Sequence, residues 1–422
     1  MILDFNIVYS LLSKFERAGQ EETPSTPVWL VREMLDKLPP EIWSDPSKTF
    51  LDPACSTGTF LLEIVRKLNI GLAPQLPDQT ERLKHILTKQ IWGLELSRVP
   101  FFVTKAAFEK LFIDTTGIVG KVNIYHANAL DGVEEIKDMK FDVVVMNPPY
   151  NKPVHKDGRK GGYGGRSLWD KFLEMAIDDL VKDHGHMVSV NPSAWRKPES
   201  DRSKTLFSKL CHENHMQYLE IHSKADGNKT FGASTRFDFF CIQKSQNDAP
   251  TIIQDEKAGK HSVDLNRRGW LPNFELELFD KLMASEGEET CGVIFSRSAY
   301  GSDKKNIMTE QSNLFPYPVI HSMNLKGVGY IYSDQNDKEH FGQSKVVLSF
   351  NEKQQCPVND YKGEYGMSQI AFGIPIESKA DGDKLIEFIE SEDGRNLVLA
   401  SKWSTFQTDW RMFKYFKEGF WR

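Results

Sequence analysis

The sequence predicts an α/β fold, a doubly wound and mostly parallel sheet of the Rossmann-like kind, followed by an α+β domain. Three observations carry this expectation. Apolar runs too short for helices end in polar tips at Asp52, Glu95, Asn128 and Asn147. Amphipathic helical stretches separate those runs, which is the alternation of a parallel sheet whose ligands gather along one edge. Beyond residue 245 the alternation disappears, dividing the chain into 1–245 and 246–422.

The first element follows Thr26-Pro27. Thr26 suits an N-cap and Pro27 the first helical turn; Val28, Val31, Leu35 and Leu38 then share a face until Pro39-Pro40 stops the helix. The capping stretch can also present hydroxyls and amides to a ligand. Next, a strand reaches Asp52, Pro53-Ala54-Cys55-Ser56-Thr57-Gly58 turns the chain, and Phe60 to Leu68 reads as an amphipathic helix. Such a layout sets a ligand over the helix N-terminus. The loop lacks the spaced glycines of a dinucleotide fingerprint and the Gly-Lys-Ser/Thr of a phosphate loop. Its acidic strand end suits a cationic or amino-acid-bearing ligand better than a pyrophosphate.

Ile91 to Leu96 is a second strand, and Glu95 either accepts two ribose hydroxyls or is a solvated surface acid. After a helix from Val99 to Phe112 and a strand from Val122 to His126, Asn128 either touches a ligand's adenine edge or caps its own turn. Phe141 to Met146 is the most apolar strand, and it stops at Asn147-Pro148-Pro149-Tyr150. Two prolines forbid both helix continuation and ladder pairing. The Asn147 amide and the Pro148 carbonyl are thereby held as acceptors with little entropy left to lose, and Tyr150 adds a flat aromatic face. Acceptors beside a stacking surface suit a planar substrate with an exocyclic amine.

Residues 151–166 are basic, with Lys152, Lys156, Arg159, Lys160 and Arg166 against a single acid, Asp157. They read as a phosphate clamp or as a solvated loop. Ser167-Leu168-Trp169-Asp170 resembles a capping box opening a helix to Leu180, and His186 to Val190, Met216 to Ile221 and Phe237 to Ile242 read as strands. Phe231 belongs to a core hairpin or to an aromatic wall. Ser245 to Pro250 looks like a linker. Past it lie Arg267-Arg268-Gly269-Trp270, a candidate nucleic-acid contact, a helix from Phe274 to Met283, strands at Gly327 to Tyr332 and Val346 to Phe350, and an acidic stretch from Glu377 to Asp393. The aromatic and basic terminus, Trp403 to Arg422, fits rings docked into a core better than rings stacked on bases.

A length of 422 residues suggests two or three domains, and 40% hydrophobic with 27% charged residues is ordinary for a soluble globular chain. Residues 1–245 carry 32 basic and 32 acidic side chains, whereas residues 246–422 carry 21 against 27, which is the whole of the net charge of −6. Any nucleic-acid surface is therefore a local patch. Five scattered cysteines with no Cys-x-x-Cys pair argue against disulfides and zinc and for a reducing cytoplasm. No signal peptide or membrane-length run is apparent.

Asp52-Pro53-Ala54-Cys55-Ser56-Thr57-Gly58-Thr59-Phe60 and Asn147-Pro148-Pro149-Tyr150, in that order, resemble the S-adenosylmethionine-dependent DNA adenine-N6 methyltransferases. The match is to the γ arrangement: a Thr-Pro-headed helix, the cofactor loop, the Asn-Pro-Pro-Tyr strand, then a target-recognition domain, here 246–422. It covers roughly residues 20–245. The resemblance implies S-adenosyl-L-methionine as cofactor, with Asp52, Ala54, Cys55, Gly58 and Phe60 around its methionine part and Glu95 at its ribose. Asn128 and Ala129 would lie by its adenine, and Thr26, Pro27 and Asn147 would line the same site. Many relatives carry Asp in place of Asn128 and Gly in place of Cys55 and Ser56. Catalysis would fall to Asn147, Pro148, Pro149 and Tyr150, with Tyr150 and Phe231 stacking on a flipped-out adenine. DNA contacts would come from Lys156, Arg159, Lys160, Arg166, Arg267, Arg268 and Trp270. The implied partner is double-stranded DNA, with room for a cognate restriction endonuclease; no metal and no membrane is called for. RNA-base or protein-glutamine methyltransferases, and a catalytically silent nucleic-acid-binding relative, are the alternatives.

Overall fold

In the computed structural model the described residues are 26–151, 167–198, 206–296, 300, 304–324, 326–350, 356–403 and 408–422. They form two compact units. The first comprises residues 1–195 and 204–268, the second 196–203 and 269–422.

The first unit is built on a nine-stranded sheet: β1 (Phe50–Asp52), β2 (Ile91–Glu95), β3 (Ile124–His126), β4 (Phe141–Met146), β5 (Val181–Pro192), β6 (His215–His222), β7 (Phe237–Gln243), β8 (Thr251–Gln254) and β9 (Lys260–Val263). Their order is β3-β2-β1-β4-β5-β7-β6-β8-β9. β1 to β5 pair in parallel, and β7 runs antiparallel to both β5 and β6. This is the predicted α/β sheet, and its strand order reverses between β1 and β4, where ligands of open parallel sheets bind. The helices are α1 (Val28–Leu35), α2 (Thr59–Gly71), α3 (Gln79–His85), α4 (Arg98–Thr116), α5 (Trp169–Met175), α6 (Leu206–Cys211) and α7 (Lys224–Phe231).

Alternation along β4 explains the layers. Val143 and Val145 join a core cluster with Leu30, Val31, Met34 and Leu35 of α1, Phe60 to Leu68 of α2 and Phe108 of α4. Val144 and Met146 face the other way and are equally buried. Burying each of the four large α1 side chains is worth about 1.5–3 kcal/mol, enough to seat this eight-residue helix despite its poor intrinsic stability.

Several expectations change. Ser245 to Pro250 does not end the first unit, because β8 pairs with β6 and carries β9 with it, extending the unit to Arg268. Pro27, not Thr26, occupies the N-cap of α1, without a side-chain capping bond. Ser167 does not cap α5; it bridges to Asn151 instead. Helices α3, α6 and α7 were not anticipated.

The second unit is α+β. Helices α8 (Leu276–Leu282), α9 (Lys379–Glu390) and α10 (Glu392–Ala400) accompany β10 (Ile307–Met308), β11 (Tyr317–Asn324), β12 (Gly327–Ser333), β13 (Lys345–Ser349), β14 (Val358–Asp360), β15 (Gly366–Met367) and β16 (Ala371–Pro375). The strands form sheets ordered β10-β12-β11-β15 and β14-β13-β16. The acidic stretch is two helices headed by Ser378 and Ser391, whose hydroxyls accept the Asp381 and Gly394 N–H groups. Trp403, Phe413, Phe416, Phe420 and Trp421 dock into the core. No helix among the described residues is long and apolar enough to cross a membrane.

Candidate active site

The carboxyl ends of β1 to β4 bring Asp52, Glu95, Asn128 and Asn147 to one edge. Because β1 lies between β2 and β4, Asp52 is flanked by the strands that deliver Glu95 and Asn147.

Asp52 is buried and accepts the Ala54 N–H at 3.0 Å. No cation pairs with it among the described residues. Burial, with the Glu95 charge adding, pushes its carboxyl up to about 8. An acid in this state gains a full ion pair from an arriving ammonium group. Glu95 uses Oε2 to accept the Ser56 N–H at 2.8 Å and Oε1 to accept the Ser97 N–H at 2.6 Å. A carboxylate has about four acceptor sites, so each oxygen keeps capacity for a hydroxyl.

Between them the loop is held from several sides. The Cys55 N–H reaches the Leu94 carbonyl at 2.9 Å, and the Gly58 N–H reaches the Cys55 carbonyl at 2.7 Å. Ser56 has φ 43°, a costly conformation for a residue with a Cβ. Its N–H is fixed by Glu95, and its carbonyl accepts the Thr104 hydroxyl at 2.7 Å. Gly58 has φ 82°, and a Cβ there would stand 2.8 Å from Thr104 Cγ2. Thr104 was missed from sequence. Its signal was a lone hydroxyl among the buried Phe101, Phe108 and Leu111 of α4. Burial, with Asp52 and Glu95 adding, drives the Cys55 thiol upward, which removes it as a nucleophile.

Asn128 lies on the same edge but is spent locally. Its Oδ1 accepts the Leu130 N–H at 3.2 Å and its Nδ2 donates to Asp131 at 2.8 Å, so the cap is the observed alternative; Ala129 opens the short turn that follows.

Asn147 is half-buried, and Pro148 beside it is buried. Its Nδ2 donates to the Thr26 hydroxyl at 3.0 Å, while its Oδ1 accepts nothing from the described residues. With Nδ2 turned to Thr26, Oδ1 is left for an incoming group. The Tyr150 carbonyl accepts the Leu168 N–H at 3.1 Å. Burial and the nearby charge of Asp238 push the Tyr150 phenol upward, so it stays neutral. Asp238, fully buried on β7, stands opposite Asn191 of β5. Phe231 ends α7 and packs edge-on against Phe237, with ring centroids 5.0 Å apart. Helix α7 places it, not a hairpin.

The expected DNA contacts divide. Lys156, Arg159, Lys160 and Arg166 lie outside the described residues. Arg267 is exposed and pairs with Asp264 at 3.3 Å, and the Arg268 carbonyl meets the His212 ring at 2.7 Å. Trp270 is a correction. Its ring is buried against Phe279, Trp403, Tyr415 and Phe416, so no base can stack on it.

A loop after Asp52 on a parallel sheet followed by an Asn-Pro-Pro-Tyr corner has a counterpart among known families. Residues 7–162 match the N-6 DNA Methylase family. That segment contains α1, the Asp52 loop, Glu95 and the Asn147 corner, so the resemblance to adenine-N6 DNA methyltransferases of restriction-modification systems is supported. An uncharacterized adenine-specific methylase of Mycoplasma pneumoniae is 37% identical over 250 residues, covering 44% of this chain and 58% of that protein. The type II restriction enzyme and methyltransferase RM.Eco57I of Escherichia coli is 21% identical over 446 residues, covering 87% of this chain and 43% of the relative. The chain thus spans about half the length of these curated relatives. The cryoEM structure of a DrdV-DNA complex superposes with a TM-score of 0.53 at 12% identity, covering 96% of this chain and 57% of that one. At that identity the likeness concerns the fold, and it extends across the N-6 methylase match and the α+β residues after it.

Proposed function

We propose that this chain transfers a methyl group from S-adenosyl-L-methionine to N6 of an adenine flipped out of double-stranded DNA, at a site specified by residues 269–422. The observation that carries the reading is the Asn147 amide. Among the described residues it is anchored through nitrogen and free at oxygen, fixed between a buried strand and two prolines, and one strand from a buried acid that no described cation pairs with.

The residues fit the cofactor. Asp52 faces the requirement of an α-ammonium group, Glu95 keeps acceptor capacity for ribose hydroxyls, and the Gly58 backbone leaves room where a side chain would collide with Thr104. When bound, S-adenosylmethionine supplies an electrophilic methyl whose bond to sulfur breaks, leaving a neutral thioether, as the bond to N6 forms. The chain's own work is on the nitrogen. The adenine amine is delocalised into its ring and is a poor nucleophile. By accepting its two N–H groups, Asn147 Oδ1 and the Pro148 carbonyl favour a pyramidal nitrogen and stabilise the positive charge that develops on it until a proton leaves to solvent. Tyr150, neutral and flat, offers its ring to the flipped base, and Phe231 is the second stacking candidate. The basic residues Lys156, Arg159, Lys160 and Arg166 are placed in sequence to grip phosphates next to that base. Work of this kind takes place in the cytoplasm, and a restriction endonuclease of the same specificity is the natural partner.

The test is expression in a methylation-free bacterial host followed by long-read sequencing of its DNA. N6-methyladenine confined to one short motif is the expected result. Unmodified DNA alongside soluble, folded protein refutes the reading.

A further inference from the structure

We infer that Thr26 is a positioning residue for the Asn147 amide and not a helix cap; this rests on the methyl-transfer reading above. Three observations converge. The first is that Pro27, not Thr26, is the N-cap of α1, so the Thr26 hydroxyl stands outside the capping position. The second is where the hydroxyl goes, 121 residues along the chain to Asn147 Nδ2 at 3.0 Å, while Thr26 is buried from solvent.

The third is that the base of this contact is rigid. Arg32 of α1 directs both Nε and Nη2 at Glu63 Oε1, at 2.9 and 2.8 Å, and Arg66 binds Glu63 Oε2 at 2.7 Å. Glu63 is fully buried on α2, whose head is the cofactor loop. Thr26 therefore takes its position from a helix tied to α2, whose N-cap is Gly58. Helix α1 acts as a strut between the cofactor loop and the Asn147 corner.

The chemical consequence concerns where the Asn147 amide can point. A hydroxyl both donates and accepts, so the Thr26 bond does not choose between the two ends of the amide; what it restrains is the rotation of the side chain. The end not bonded to Thr26 is thereby directed at one place, and misplacement of a reacting group by about 1 Å costs on the order of a hundredfold in rate.

The experiment uses the full chain, unmethylated plasmid DNA and tritiated S-adenosylmethionine. Single-turnover methylation is measured at saturating cofactor, and cofactor affinity is measured separately by calorimetry. Thr26→Val is expected to lower the single-turnover rate by about 10- to 100-fold with cofactor affinity within about threefold of wild type, and Thr26→Ser to restore most of the rate. Thr26→Ala repeats the test with a smaller side chain, and thermal melting of each variant shows that it is folded. An unchanged rate in both Thr26→Val and Thr26→Ala overturns the inference. So does a rate that recovers fully when cofactor is raised, because Thr26 is then a cofactor ligand. Absence of methylation by the wild-type chain overturns the underlying function instead, which keeps the two failures distinct.

Discussion

Thr104 on α4 donates its hydroxyl to the carbonyl of Ser56, 48 residues earlier, at 2.7 Å. With Glu95 holding the Ser56 N–H, both polar groups of a left-handed residue are restrained by side chains from other elements. The loop's shape is imposed from outside, and Thr104 is the part of that imposition which α4 supplies.

Removing the hydroxyl while keeping the shape isolates this effect. Thr104→Val leaves the buried Ser56 carbonyl without its donor, a loss of about 1–3 kcal/mol that falls on the loop and hence on cofactor binding. A rise in the S-adenosylmethionine dissociation constant of about five- to a hundredfold is expected by calorimetry, with methylation recovering at high cofactor. Gly58→Ala is expected to be more severe, because φ 82° and contact with Thr104 Cγ2 both oppose a side chain.

Asp52 makes cofactor binding depend on pH. In the free protein its carboxyl titrates at about 8, so at pH 7 it holds a proton that it must release to pair with an ammonium group. Affinity should climb by up to about tenfold per pH unit below 8. An α-amino group loses its own proton near 7.7–8.0, so the profile should turn over there and form a bell. Stability has the opposite slope. Asp52 is ionised above about 4 in the unfolded chain but not in the fold, so folding loses stability as pH rises from about 4 to about 8 and is level beyond. Asp52→Asn should flatten both curves while weakening binding; calorimetry and chemical denaturation between pH 5 and pH 9 measure them.

What the sequence made legible were local signals. A polar residue that closes an apolar run marks a strand tip, so Asp52, Glu95 and Asn147 could be placed on one edge before any coordinates. Bonds between distant segments leave no such trace: nothing near Thr26 indicates that its hydroxyl serves Asn147 and not its own helix. Helix α7 was missed because Lys-Ala-Asp-Gly-Asn-Lys-Thr-Phe has no apolar stripe. It is held by a capping box between Ser223 and Asp226. Strands β8 and β9 were hidden because an edge pair of four residues each is too short and mixed to show periodicity. Trp270 misled because two flanking arginines suggested a surface, while its side chain supports the core of the second unit.

The second unit contains a buried ion pair. Lys345 of β13 donates to Asp360 at 2.6 Å and to the His340 carbonyl at 2.7 Å, with neither charged side chain reaching solvent. Asp360 also accepts the N–H groups of Glu364 and Tyr365 at 2.7 and 3.1 Å, closing the turn after β14. Asp360→Ala strands a buried ammonium group and should cost about 3–5 kcal/mol. Lys345→Met in the same background should recover part of that. Urea unfolding followed by tryptophan fluorescence measures both.

Asn147 allows the sharpest separation of binding from chemistry. Its side chain is half-buried and carries a single hydrogen bond among the described residues, to Thr26. Asn147→Ala should therefore fold normally and hold S-adenosylmethionine with little change, because Asp52, Glu95 and the Gly58 loop are untouched. What it loses is the acceptor that strengthens as charge develops on the adenine nitrogen. Loss of one such preorganised group typically lowers turnover by about 10²–10³-fold. Asn147→Asp distinguishes charge from hydrogen bonding. It keeps an acceptor toward the amine and can accept the Thr26 O–H in place of donating to it, so it should retain more rate than alanine and stay sensitive to Thr26→Val, whereas alanine should lose that sensitivity. Single-turnover rates for the two variants and their combinations with Thr26→Val measure that coupling directly, and equal effects of Thr26→Val in all backgrounds would show that the two side chains act independently.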